Sequence, residues 1–110
     1  MVSNKPDAAV KQLCQSLFAG VYGLGQTEDI PRKPAPDMIR AAMKHLGVEK
    51  CIYVGDSEVD LKTAENAGVP CINVLWGFRT QQELEQAGAN CFCDHPSNLK
   101  AMVDHRMTEL

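Results

Sequence analysis

The chain has 110 residues, 45% of them hydrophobic and 23% charged, with a formal net charge of −3. That length accommodates one domain with one core, and the composition is that of a folded chain rather than a disordered one. The lack of a Lys/Arg stripe argues against nucleic acid and anionic membrane surfaces as partners, and no apolar stretch approaches the ~18 residues of a membrane span.

The opening "MVSNKPD" has no apolar run of the secretory kind, so a cytoplasmic location is expected. Residues 6–18 place Val10, Leu13, Cys14, Leu17 and Phe18 on one helical face, with Pro6 near the start and Gly20 just past the end. Residues 20–25 read as a short strand, and the proline-rich 26–36 as an irregular connection. Residues 36–47 are helical again, with Ile39, Ala42, Met43 and Leu46 on one side and Gly47 closing the helix. "KCIYVGD" is a continuous apolar run, expected of a strand covered on both faces. A third helix follows over 57–68 with Leu61 and Ala64 inward. Then come a strand over 69–77, a short helix over 80–89, a strand over 90–94 and a last helix over 98–107 with Leu99, Met102, Val103 and Met107 inward. Helices alternating with short β-rich runs predict right-handed crossovers and a mainly parallel, doubly wound α/β sheet. Ligands bind such sheets beyond the carboxyl ends of the strands, which directs attention to Ser3-Asn4-Lys5, the loop 25–33, Asp56 to Asp60, and Gly77.

Five cysteines leave one out of any disulfide scheme, and reduced, buried thiols are the expectation. Cys91, Cys93 and His95 in "CFCDH" are too few and too close for a zinc site without a second ligand pair.

Asp56 follows a predicted strand, and Asp60 lies four residues on, in the first helical turn. Two carboxylates one turn apart suit Mg²⁺, which takes one or two of them and completes its octahedron with water and phosphate oxygens. The same spacing also fits a capping box, with Ser57 at the N-cap and Asp60 reaching back. "VSNK" sets the hydroxyl of Ser3 and the amide of Asn4 near the opening of a helix, a place for an anion or for an ordinary cap. In "RKPAPDM" two prolines keep Lys33 out of the following helix, either as a point charge for phosphate or as a solvated surface lysine.

"VSNK", "KPAPDM" and "GDSEVD" with "LKTAENAGVP", in that order, resemble the second, third and fourth motifs of the haloacid-dehalogenase-like hydrolases, in the phosphoglycolate-phosphatase-like branch. The resemblance implies phosphate-monoester hydrolysis through an aspartyl-phosphate, with Mg²⁺ as cofactor and a small phosphorylated metabolite as substrate. On its terms Ser3 and Asn4 bind the phosphoryl group, Lys33 neutralises its charge, and Asp56 and Asp60 serve the metal, while Glu58 belongs to the helix surface. The family's first motif, D-x-D-x-T/V, and its cap domain have no counterpart among these 110 residues. The resemblance therefore implies the C-terminal part of such an enzyme, inactive alone for want of the nucleophilic Asp. In the family the strand of the first motif lies between the one ending at the second motif and the one ending at Asp56. Two open strand edges are then expected, with rearranged pairing or a homodimer across the gap.

Overall fold

The computed structural model describes residues 1–110, which form five strands and five helices in strict alternation. They are β1 (Val2–Pro6), α1 (Asp7–Leu17), β2 (Leu24–Gln26), α2 (Asp37–Leu46), β3 (Tyr53–Gly55), α3 (Glu58–Ala67), β4 (Cys71–Val74), α4 (Gln81–Gln86), β5 (Phe92–Cys93) and α5 (Pro96–Thr108). All pairing between named strands is parallel, as the crossover helices require. The strands form two separate pieces, β1-β2 and β3-β4-β5, with no ladder between them. In the first, Val2 lies opposite Leu24; in the second, Tyr53, Val54 and Gly55 lie opposite Cys71, Ile72 and Asn73, and Asn73 in turn opposite Phe92. The fold is thus a partial doubly wound sheet flanked by helices, and its pairing has not rearranged to close the gap between β1 and β3.

Local chemistry accounts for most boundaries. α2 and α3 each end on a glycine with positive φ, Gly47 at 68° and Gly68 at 73°, where a side chain would be strained. α4 starts with a capping box: Glu83 N–H donates to Thr80 Oγ1 at 3.1 Å, and Thr80 N–H to Glu83 Oε1 at 3.1 Å. His95 caps α5 by accepting from Ser97 N–H at 3.2 Å, with Pro96 in the first turn. That capping role, and the donation of Cys93 Sγ to His95 carbonyl oxygen at 3.2 Å, absorb the "CFCDH" stretch. All five thiols are free, but only Cys14 and Cys93 are buried; Cys51, Cys71 and Cys91 are half-buried.

Two apolar clusters sit on opposite faces of β4. Leu61, Leu84 and Ala89 pack beneath α3 and α4, while Ile72, Val74 and Cys93 pack against Leu99, Met102 and Val103 of α5. The expected inner faces of α1 and α5 are correct only in part. Val10 and Cys14 are buried, but Leu17 and Phe18 lie exposed at the end of α1, and Met107 is exposed in the last turn of α5. β3 is also shorter than the apolar run 50–54 predicts, because it has a partner on one edge only.

Candidate functional site

Three segments meet at the carboxyl end of β3: the turn into α3, the loop preceding α2, and Asn4 in the middle of β1. The helix α3 begins at Glu58, so Asp56 stands in the turn before it, and Ser57 at the N-cap forms a capping box with Asp60. Asp60 does far more than cap. Its Oδ2 accepts from the N–H of Asp56 at 3.0 Å, the N–H of Ser57 at 3.3 Å and the hydroxyl of Ser57 at 3.2 Å. Its Oδ1 accepts from Lys33 Nζ at 2.8 Å and from the hydroxyl of Tyr53 at 3.4 Å. Lys33 Nζ also donates to the Tyr53 oxygen at 3.3 Å. Gly55 makes this possible, since a Cβ there would run into the Asp60 carboxylate.

The Lys33–Asp60 pair is largely buried, which governs its electrostatics. Burial by itself raises the Asp60 pKa, but the hydrogen bond and charge of Lys33, helped by the Asp56 N–H and the Ser57 hydroxyl, outweigh it and hold the carboxyl below its ordinary value. The neighbouring groups are pushed the other way. Burial first, and then the Asp60 charge, raise the Tyr53 phenol and lift the Cys71 thiol to about 12. Both therefore stay neutral beside the ion pair.

Lys33 is fixed from two sides. From β1, the side-chain oxygen of Asn4 accepts the Lys33 N–H at 2.8 Å, and the Asn4 Nδ2 donates to the Lys33 carbonyl at 3.2 Å. From α3, Asn66 Nδ2 donates to the carbonyl of Pro34 at 2.9 Å. The Lys33–Pro34 peptide is cis. Across the site, Gly77 follows β4 and lies so close to Asp56 that an added Cβ would collide with its carboxylate. Beyond it, Arg79 Nε and Nη2 donate to Glu58 at 2.8 and 3.1 Å, an exposed pair that joins this loop to the first turn of α3.

The structure thus links Lys33, Asp56 and Asp60 in one cluster and brings Asn4 to it through the Lys33 backbone. Two sequence expectations change. Ser3 and Asn4 belong to strand β1 and not to a helix opening: α1 starts only at Asp7, whose carboxylate already accepts from Gly25 N–H at 2.9 Å. Both polar ends of the Asn4 amide hold the Lys33 peptide, so they are not turned to an anion. The Ser3 hydroxyl accepts from Lys5 N–H at 3.1 Å. Asp60 is the hub of the ion pair and the cap at once, which leaves Asp56 as the carboxylate with open oxygens. Tyr53 and Asn66 were not anticipated. A phenol inside an aliphatic strand and an Asn near the end of a helix were the signals available, since each needs a polar partner.

The HAD-hydrolase-like family model matches residues 30–97, which contain Lys33, Asp56, Asp60 and Gly77. A phosphoglycolate phosphatase of Photorhabdus laumondii is 28% identical over 108 residues, covering 94% of this chain and 46% of that protein. One from Xanthomonas campestris is 44% identical over 84 residues, covering 72% of this chain and 38% of that protein. Among solved structures, a Lactobacillus delbrueckii protein assigned as a phosphoglycolate phosphatase superposes with a TM-score of 0.89 at 43% identity, over 93% of this chain and 44% of that one. A predicted phosphatase from Clostridium acetobutylicum superposes with a TM-score of 0.74 at 29% identity, over 97% of this chain and 50% of that one. The chain spans about half the length of the relatives it matches, or less.

Proposed function

The chain belongs to the HAD-hydrolase-like family, and from that premise we propose that it is the metal- and phosphate-holding part of a phosphatase for small phosphate monoesters, with phosphoglycolate as the favoured substrate. The observation that carries the reading is the joining of Lys33 to the Asp56 turn through the two oxygens of one buried carboxylate, Asp60.

The donor chemistry fits Mg²⁺ in a restricted way. No group of three or more His, Cys, Asp or Glu side chains converges into a cage. Mg²⁺ does not need one, because it binds through one or two carboxylates and keeps water and phosphate oxygens in its remaining positions. Asp56 would hold the ion, and Asp60 would fix the turn that presents Asp56 while supporting the metal shell from behind. When bound, the ion would neutralise charge on the phosphate oxygens.

The residues of this chain then divide the work. An ammonium has three N–H donors, and two of those on Lys33 face Asp60 and Tyr53, so one remains for a phosphate oxygen. Asn4 and Asn66 set the position of that lysine, and Ser3 of β1 would add a hydroxyl to the phosphate. Charge sets an order of binding. One ammonium stands against two carboxylates, so the site repels an anion until a divalent cation has entered. Phosphate binding should therefore depend on Mg²⁺.

Catalysis needs a nucleophile and an acid–base group that the cluster lacks. With only Lys33, Ser3, Asp56 and Asp60 at the site, the isolated chain should bind without turning over. Calorimetric titration of the 110-residue chain with inorganic phosphate should show saturable binding in the presence of Mg²⁺ and none in EDTA. Asp56→Asn and Lys33→Met should each weaken it at least tenfold. Failure of phosphate to bind at any Mg²⁺ concentration would refute the reading, and a Mg²⁺-dependent hydrolysis of p-nitrophenyl phosphate lost in Asp56→Asn would refute the inactivity.

A further inference from the structure

Side chains alternate along β3, so Tyr53 and Gly55 share a face, and it is over Gly55 that the Asp60 carboxylate lies against the backbone. The strand therefore brings the phenol of Tyr53 to the same carboxylate. Three polar atoms form a closed triangle there: Lys33 Nζ lies 2.8 Å from Asp60 Oδ1 and 3.3 Å from the Tyr53 oxygen, which in turn lies 3.4 Å from Asp60 Oδ1. Chemistry alone sets the proton directions. An ammonium only donates and a carboxylate only accepts, so the hydroxyl accepts from Lys33 and donates to Asp60. The backbone of Tyr53 is held as well, since its N–H donates to the Pro70 carbonyl at 2.9 Å and it lies opposite Cys71 in the ladder.

Asp60 does not need that hydroxyl. Lys33 Nζ, the Asp56 N–H, and the N–H and hydroxyl of Ser57 already donate to it, enough to occupy its lone pairs. Lys33 is in a different position. A single partner fixes one N–H and leaves the ammonium free to turn about that contact. A second partner at a fixed angle stops the rotation, and the tetrahedral nitrogen then has one direction left for its third N–H. Water is a poor substitute for the hydroxyl, because the Lys33 and Asp60 side chains are only 14% and 10% exposed. The ring itself adds little: Nζ lies 5.9 Å from its centroid, at the outer limit of a cation–π contact.

We propose that Tyr53 is a positioning residue for anion binding, its hydroxyl fixing the Lys33 ammonium so that the third N–H is presented to a phosphate oxygen. The inference rests on the phosphate reading given above and adds to it a residue outside "VSNK", "KPAPDM" and "GDSEVD". It also separates two tasks within the triangle. Asp60 supplies the counter-charge and holds the Asp56 turn, whereas Tyr53 supplies direction to the ammonium alone. Loss of the hydroxyl should therefore be felt by the anion and not by the metal.

The test compares the 110-residue chain with Tyr53→Phe, which keeps the ring and removes only the oxygen. Circular dichroism should show both to be equally folded. In NMR titrations followed at the Asp56 amide, Mg²⁺ alone should bind the two with the same affinity. Inorganic phosphate added at saturating Mg²⁺ should bind Tyr53→Phe about fivefold more weakly, as expected for one hydrogen bond. Undiminished phosphate affinity in the variant would overturn the proposal. So would an equal loss for Mg²⁺ and phosphate, or loss of the fold, because the hydroxyl would then serve the Asp56 turn or the core rather than the ammonium. Absence of phosphate binding by the wild type as well would refute the phosphate reading itself, and this proposal with it.

Discussion

Asp60 shows how one side chain can hold several functions because its two oxygens face different ways. One oxygen closes the N-terminus of α3, while the other holds the ammonium of Lys33. Removing the cation leaves a buried carboxylate without its counter-charge, so Lys33→Met should cost about 3 kcal/mol in urea unfolding. Adding Asp60→Asn to that variant should cost less than the two single losses summed, because the partners share one interaction. The pH dependence has a fixed sign. The folded Asp60 carboxyl lies below its ordinary 3.8, so its stabilising contribution is complete above that value and is lost as pH falls through the lower, folded pKa. Acid unfolding of the wild type should therefore steepen below about pH 4, and Asp60→Asn should flatten that limb. The exposed Arg79–Glu58 pair stands in contrast. Arg79 holds the Glu58 carboxyl down to about 2, yet both groups remain in solvent and the pair contributes little to stability.

At the scale of elements, the loop preceding α2 matters more than any helix, since it joins the two pieces of sheet. Asn4 is its tie to β1, and Lys33 and Asn66 are its ties to β3 and α3. Asn4→Ala deprives a half-buried N–H and C=O of their partners at once and should lower stability by about 1–3 kcal/mol in chemical denaturation. Asn4→Asp tests the same point differently, keeping the acceptor for Lys33 N–H while losing the donor to its carbonyl, and should fall between wild type and Asn4→Ala. The helix boundaries were readable from sequence for a local reason. Gly47 and Gly68 supply the left-handed termini, and Thr80 with Glu83 supplies a cap, all through contacts within a few residues. The strand lengths were not readable, because a ladder extends only as far as its neighbour does.

Across the whole molecule, stability is distributed unevenly. Both apolar clusters surround β4, whereas β1 and β2 form a two-stranded piece with both outer edges unpaired. Two-stranded sheets gain little on their own. Hydrogen exchange should accordingly find the slowest amides at Ile72 to Val74 and amides of Leu24 to Gln26 exchanging at least tenfold faster. Equal protection of the two regions would show that the pieces open as one cooperative unit. No helix is long and apolar enough to cross a membrane.

The sequence by itself determined the order of helices and strands, their parallel sense, the family and the turn that carries Asp56, because each is written in local periodicity, glycine placement or a short motif. The tertiary structure alone decided that the Asn4 amide serves the Lys33 backbone, that Tyr53 and Asn66 join the site, and that β1 and β3 stand apart across an apolar groove. Those outcomes depend on which polar groups and strand edges, distant in the chain, meet in space, and residue spacing along one segment carries no information about that.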